Sequence, residues 1–149
     1  MQEEEYTIPE MVDEVREGKM QRHDEHLANQ SQGNLDQLYN DYAEHAIVED
    51  SMYPHPFVGR VAIMSRKSAG MAAIPGLNIN VTNRIAHGNQ LTVEWIASGT
   101  HSGDYPGLVA SGRSFSIPGV TVVVRQNGKI VRESLYYDMN EVRRQLGPR

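Results

Sequence analysis

The hydrophobic positions of this chain change period part of the way along. Through the first 46 residues they recur every three to four positions, which predicts helix. A Thr7-x-x-Glu10 capping box, with Pro9 in the first turn, opens a helix through Met11, Val12 and Val15. Gly18 weakens the middle of that segment and leaves it open to a break. A second helix is predicted to start at Asn34, with Gln37 three residues on, and Leu35, Leu38, Tyr39, Tyr42 and Ala46 keep helical spacing. A third runs from about Val61 to Ala73 and stops before Pro75.

From Leu77 the period is two. Leu77, Ile79, Val81 and Ile85 alternate with Asn78, Asn80, Thr82 and Arg84, as in a strand with one solvated face. Further strands are predicted over Leu91 to Thr100, Ser114 to Gln126 and Ile130 to Tyr137, the last two joined by an Asn127-Gly128 hairpin turn. A short helix from Met139 to Leu146 ends at Gly147-Pro148. Helices first and an antiparallel meander second define an α+β class, with helices covering one sheet face.

Composition narrows the function classes. A chain of 149 residues suits one domain, here read as a core over about residues 20–147 with a helical extension over 1–20. With no cysteine, disulfides, thiolate zinc sites and cysteine nucleophiles are excluded. A net charge of −5 argues against affinity for phosphate backbones, so nucleic acid is not an expected partner. No apolar run is long enough to span a bilayer, and the acidic start "MQEEEYTIPE" is unlike a signal peptide. The expectation is a cytoplasmic protein that binds neither membrane nor metal and needs no cofactor.

Three stretches carry a resemblance. "GTHSG" and "ASGR" (Gly99 to Gly103, Ala110 to Arg113) and "GKIVRESLYYDMNEVRRQLG" (Gly128 to Gly147) resemble the SnoaL-like polyketide cyclase branch of the superfamily named after nuclear transport factor two. "YAEHAIVED" (Tyr42 to Asp50) is similar to the helix-to-strand passage of that branch and of the ketosteroid isomerases. The resemblance implies a curved antiparallel sheet wrapped around the N-terminal helices to form a cone-shaped pocket, closed by a short C-terminal helix. It also implies pairing of two copies through the outer sheet face, for which Ile96 and the row Val120, Val122 and Val124 are suited.

Candidate residues follow. Alternation puts Val48, Asp50 and Met52 on one face, and a carboxylate among apolar neighbours is made more basic by desolvation, which suits a general base. The resemblance to the isomerases implies that role for Asp50; the alternative is an aspartate capping a turn near Ser51. The isomerase pattern fails at His26 and Thr121, where its two oxyanion donors would fall. The cyclase resemblance implies an acid/base role for Asp138, yet Asp138-x-x-Glu141 is also the spacing of a cap on the last helix. His101 shares a strand face with Trp95 and could stabilise an enolate or carry its proton, or simply hold a turn. Tyr42, His45, Tyr53, His55, Trp95, Arg113 and Tyr136 are candidates to line the pocket and meet substrate. Tyr136 and Tyr137 point to opposite faces, so only one of them is expected inside. His23 and His26, in "HDEH", lack zinc-protease spacing and read as a surface face.

The function expected is that of a small enzyme without cofactor, performing acid/base cyclisation or isomerisation of an apolar, carbonyl-bearing small molecule. A binding or assembly module without catalysis, and an epoxide hydrolase or dehydratase, are the alternatives.

Overall fold

The change of period along the sequence is a change of layer in the structure. The computed structural model describes residues 9–104 and 109–147. Helix α1 (Pro9–Gln32) and helix α2 (Leu35–Asp41) lead into strand β1 (Tyr42–Asp50), then β2 (Phe57–Val58) and helix α3 (Arg60–Ala73). Strands β3 (Asn78–His87), β4 (Gln90–Thr100), β5 (Ser114–Gln126) and β6 (Lys129–Tyr137) form a meander before helix α4 (Met139–Leu146). The sheet order is β2-β1-β6-β5-β4-β3, open at both edges. Every pairing is antiparallel except β1 with β6, so the sheet is mixed where a wholly antiparallel one was expected. The long excursion from β1 through α3 and the meander supplies the connection that a parallel pairing needs.

Three local expectations change. Helix α1 runs unbroken through Gly18, whose cost of roughly 1 kcal/mol is small within a 24-residue helix. The Thr7 end of its predicted capping box lies outside the described residues. Helix α2 ends at Asp41, so Tyr42 and Ala46 belong to β1. A spacing of four fits a strand face as well as a helix face, and both side chains are buried either way. Asn34 precedes α2 without capping it; its Nδ2 donates to Asn29 Oδ1 at 3.1 Å and to Gln32 Oε1 at 3.2 Å. In β3 a bulge between Val81 and Asn83 flips the alternation, leaving Ile85 56% exposed.

Two apolar clusters hold the layers together. Trp95, Ala97, Phe115 and Ile117 of the meander pack against Val142 and Leu146 of α4. Tyr42, Ala46 and Val48 of β1 pack against Ile63 of α3 with Val123 and Ile130. Asn127 (φ 51°) and Gly128 (φ 77°) make the tight turn between β5 and β6, where two left-handed residues match the strand twist.

The segment after β4 is docked by its backbone. His101 N donates to Arg113 O and Gly112 N to His101 O, both at 2.9 Å, extending the β4–β5 pairing beyond Thr100. Ser102 N (3.1 Å) and Gly103 N (2.9 Å) donate to Ala73 O, a carbonyl that the end of α3 leaves without a helical partner. A Cβ on Gly103 would stand 2.3 Å from Ala72 O, so only glycine permits this approach.

Candidate functional site

A cavity of about 380 Å³ lies between the helices and the inner face of the sheet. Its wall is mainly apolar, with Trp95, Phe115 and Ile117 from the meander, Met71 from α3 and Ile74 just after it, and Val142 and Leu146 from α4. Trp95 forms part of this wall and donates from Nε1 to Thr121 Oγ1 at 2.8 Å, so its polar edge is satisfied within the sheet. Three polar groupings interrupt the apolar surface.

The first is built on Asp50, which is 6% exposed at the end of β1. Arg66 of α3 grips its Oδ2 through Nε (3.0 Å) and Nη2. Oδ1 accepts from Met52 N at 2.9 Å and from the Tyr137 hydroxyl. Asp50 is therefore the anion of a buried, hydrogen-bonded ion pair, where the sequence suggested a carboxylate among apolar side chains. The Asp50 and Glu133 carboxylates outweigh burial and raise the Arg66 guanidinium above its usual range.

The second is centred on Glu133, in β6 and 3% exposed. It pairs in register with two buried valines, Val48 and Val123. Its Oε1 accepts from Tyr42 Oη at 2.8 Å and lies 4.0 Å from Lys67 Nζ. Lys67 Nζ donates to Gln30 Oε1 at 2.8 Å. Burial works to raise the Glu133 pKa, but Lys67, His26 and Arg66 prevail and hold it at about 2. Burial lowers Lys67 to about 8 against the opposing pull of Glu133. Burial also raises the Tyr42 phenol well above its usual value, helped by the neighbouring Glu133 charge.

The third grouping is a set of histidines. His101 is fully buried, and neither ring nitrogen has a partner among the described residues. His23 and His26 are each 2% exposed and form part of the cavity wall, which overturns the expectation of a surface face. Burial lowers His23 to about 4, with His26 adding to the effect, and burial likewise lowers His26 below its usual range.

Of the catalytic and substrate-binding candidates named from the sequence, Asp50, His101 and Trp95 contribute to the wall and the others do not. Asp138 is exposed and caps α4, accepting from Asn140 N at 2.9 Å and Glu141 N at 3.2 Å. Tyr42 is buried behind the wall as the partner of Glu133. His45 and His55 are exposed, and Tyr53 packs edge-on against Phe57 at 4.8 Å. Arg113 is half-buried outside the cavity wall. Tyr136 is 52% exposed on the outer face, because Tyr137, one residue on, takes the inner one. The residues not anticipated are Arg66, Lys67 and Glu133, and of the tyrosine pair it is Tyr137 that lines the cavity. Period-two spacing puts Glu133 on one face with Leu135 and Tyr137, and helical spacing puts Lys67 in line with Ile63 and Ile74, so both patterns were present in the sequence.

Among the described residues no three histidine or carboxylate groups converge as a metal site, and no helix is long and apolar enough to cross a membrane.

The whole arrangement has many structural relatives. A candidate SnoaL-like polyketide cyclase of Jannaschia sp. CCS1 superposes with a TM-score of 0.76 at 16% identity, covering 87% of this chain and 94% of the other. TsrD of Streptomyces laurentii gives 0.77 at 20% identity, over 89% and 96%. A hypothetical protein of Catenulispora acidiphila with a ketosteroid isomerase-like fold, in complex with trimethylamine, gives 0.70 at 21% identity, over 82% and 88%. At these identities the likeness shows the fold. No curated protein matches the chain. The model of the SnoaL-like polyketide cyclase family matches residues 12–146, and the chain belongs to that family.

Proposed function

We propose that the protein binds an apolar, carbonyl-bearing small molecule and moves a proton at the carbon beside the carbonyl, so that the enolate cyclises or isomerises. The observation that carries this reading is one mainly apolar cavity whose wall includes both a buried imidazole without a partner among the described residues, His101, and a carboxylate-held guanidinium, Arg66. A neutral imidazole has one accepting and one donating nitrogen, so His101 can take the proton and return it. Asp50 already accepts from Met52, Tyr137 and Arg66, and in this reading it positions Arg66 and leaves proton transfer to His101. Guanidinium donors not spent on Asp50 then stabilise the enolate oxygen in a site shielded from water. Asp138 has no part in it, since its oxygen serves the α4 backbone.

Deuterium uptake tests the proposal. With 2-tetralone in D2O, the protein is expected to accelerate exchange at the carbon beside the carbonyl, and His101→Gln to slow it by about 10²-fold. An unchanged exchange rate in His101→Gln overturns the assignment. Tight binding without exchange would point to the module that binds but does not catalyse.

A further inference from the structure

The α1 side of the cavity wall holds a chemistry that proton transfer at His101 does not use. Asp41, the last residue of α2, accepts from both terminal nitrogens of Arg125 at 2.7 and 2.9 Å. His26 Nδ1 lies 2.8 Å from Asp41 Oδ2. A carboxylate bound to a guanidinium only accepts, so Nδ1 must carry the proton of that contact. On a neutral ring Nε2 is then the accepting nitrogen. It is buried and has no hydrogen-bond partner among the described residues. At 3.8 Å stands Glu133 Oε2, another acceptor. Tyr42 gives its hydrogen to Glu133 Oε1, and Lys67 gives one of its three to Gln30 and stands 4.0 Å from Glu133 Oε1, so neither meets His26 Nε2. His26 Nε2 is thus a buried acceptor without a donor among the described residues. An unmet buried acceptor is costly, and in native proteins it is usually met by water or a ligand.

We propose that His26 Nε2 forms a binding site for a hydroxyl group of the ligand, with Asp41 fixing the imidazole tautomer that accepts its hydrogen. The inference rests on the reading of the cavity as a small-molecule site and adds a chemical class: an apolar ring system bearing a phenolic or enolic hydroxyl. Asp41 and His26 stand as orienting carboxylate and accepting imidazole, the relation found in acid/base dyads. Asp41 is a positioning residue. His26 is the residue that discriminates hydroxylated ligands from those without the group.

Two measurements on the full chain test this. Calorimetry with 2-naphthol and 2-methoxynaphthalene compares one ring system with and without the donor. Wild-type protein is expected to prefer the naphthol at least about tenfold, and His26→Phe to bring the ratio to about one while still binding the ether. Nitrogen-15 spectra of histidine-labelled protein are expected to show His26 protonated on Nδ1 and bare on Nε2, with Nε2 shifting when naphthol is added. Equal affinities in wild-type protein, or a proton on Nε2 of the free protein, overturn the proposal while leaving the cavity reading intact. If neither compound binds, the cavity reading fails and the proposal with it.

Discussion

Arg66 and Asp50, from α3 and the end of β1, form a forked ion pair, with side chains only 10% and 2% exposed. The pair ties the helix layer to the sheet across the cavity wall and keeps the guanidinium in place. Removing one member of such a pair leaves a buried charge uncompensated. Asp50→Asn is therefore expected to lower stability by about 3–5 kcal/mol, measured by urea unfolding. A loss below about 1 kcal/mol would show that the pair is open to solvent.

Acid should lower stability through groups with separate windows, His23 and Glu133 among them. His23 falls from 6.5 to about 4 in the folded state, so its contribution is present above pH 6.5 and is lost as pH falls toward 4. Glu133 falls from 4.5 to about 2, and its contribution, about 3 kcal/mol, is lost between pH 4.5 and 2. Glu133→Gln should flatten the lower window in a pH series of melting temperatures.

Lys67 gives a diagnostic of the same sign on the alkaline side. Its folded pKa of about 8 lies below the usual 10.5, so the unfolded chain binds more protons between these values. Stability carried by this group is expected to rise from pH 8 to 10.5. Lys67→Met alone should destabilise more than Lys67→Met combined with Glu133→Gln, because the double variant leaves no uncompensated charge. Additive losses would show that the two side chains do not interact.

Gly103→Ala drives a methyl group against the backbone of α3, where no side chain can move aside. The segment should detach from Ala73, and the amides of Ser102 and Gly103 should lose protection in hydrogen exchange. Unchanged protection would mean that α3 yields instead.

The outer sheet face exposes Tyr136 (52%) and Ile96 (39%) beside the half-buried row of Val120, Val122 and Val124. Pairing of two copies through this face predicts a dimer by native mass spectrometry at micromolar concentration. Ile96→Glu with Tyr136→Glu should convert it to a monomer that still binds ligand. Dimers surviving both substitutions would place the interface elsewhere.

Hydrophobic period alone determined most of the elements here. Strands β3 to β6, helices α3 and α4 and the Asn127-Gly128 turn can be read from the residues, because side-chain alternation and turn chemistry are local. Locality also explains where reading from the sequence misleads. Tyr42 and Ala46 satisfy two periods at once, and the bulge after Val81 moves Ile85 outward without any mark in the pattern. What only the tertiary structure decided is which polar side chains are enclosed. His23, His26, Lys67 and Glu133 are charged or polar residues of kinds that mostly face solvent. They are buried here because α1, α3 and β6 bring them within reach of one another's charges and hydrogen bonds. Asp138 and Tyr136 went the other way: a helix start claimed one, and strand alternation turned the other outward. A single side chain's burial is settled by partners far away in the chain, and those meet only when the layers close.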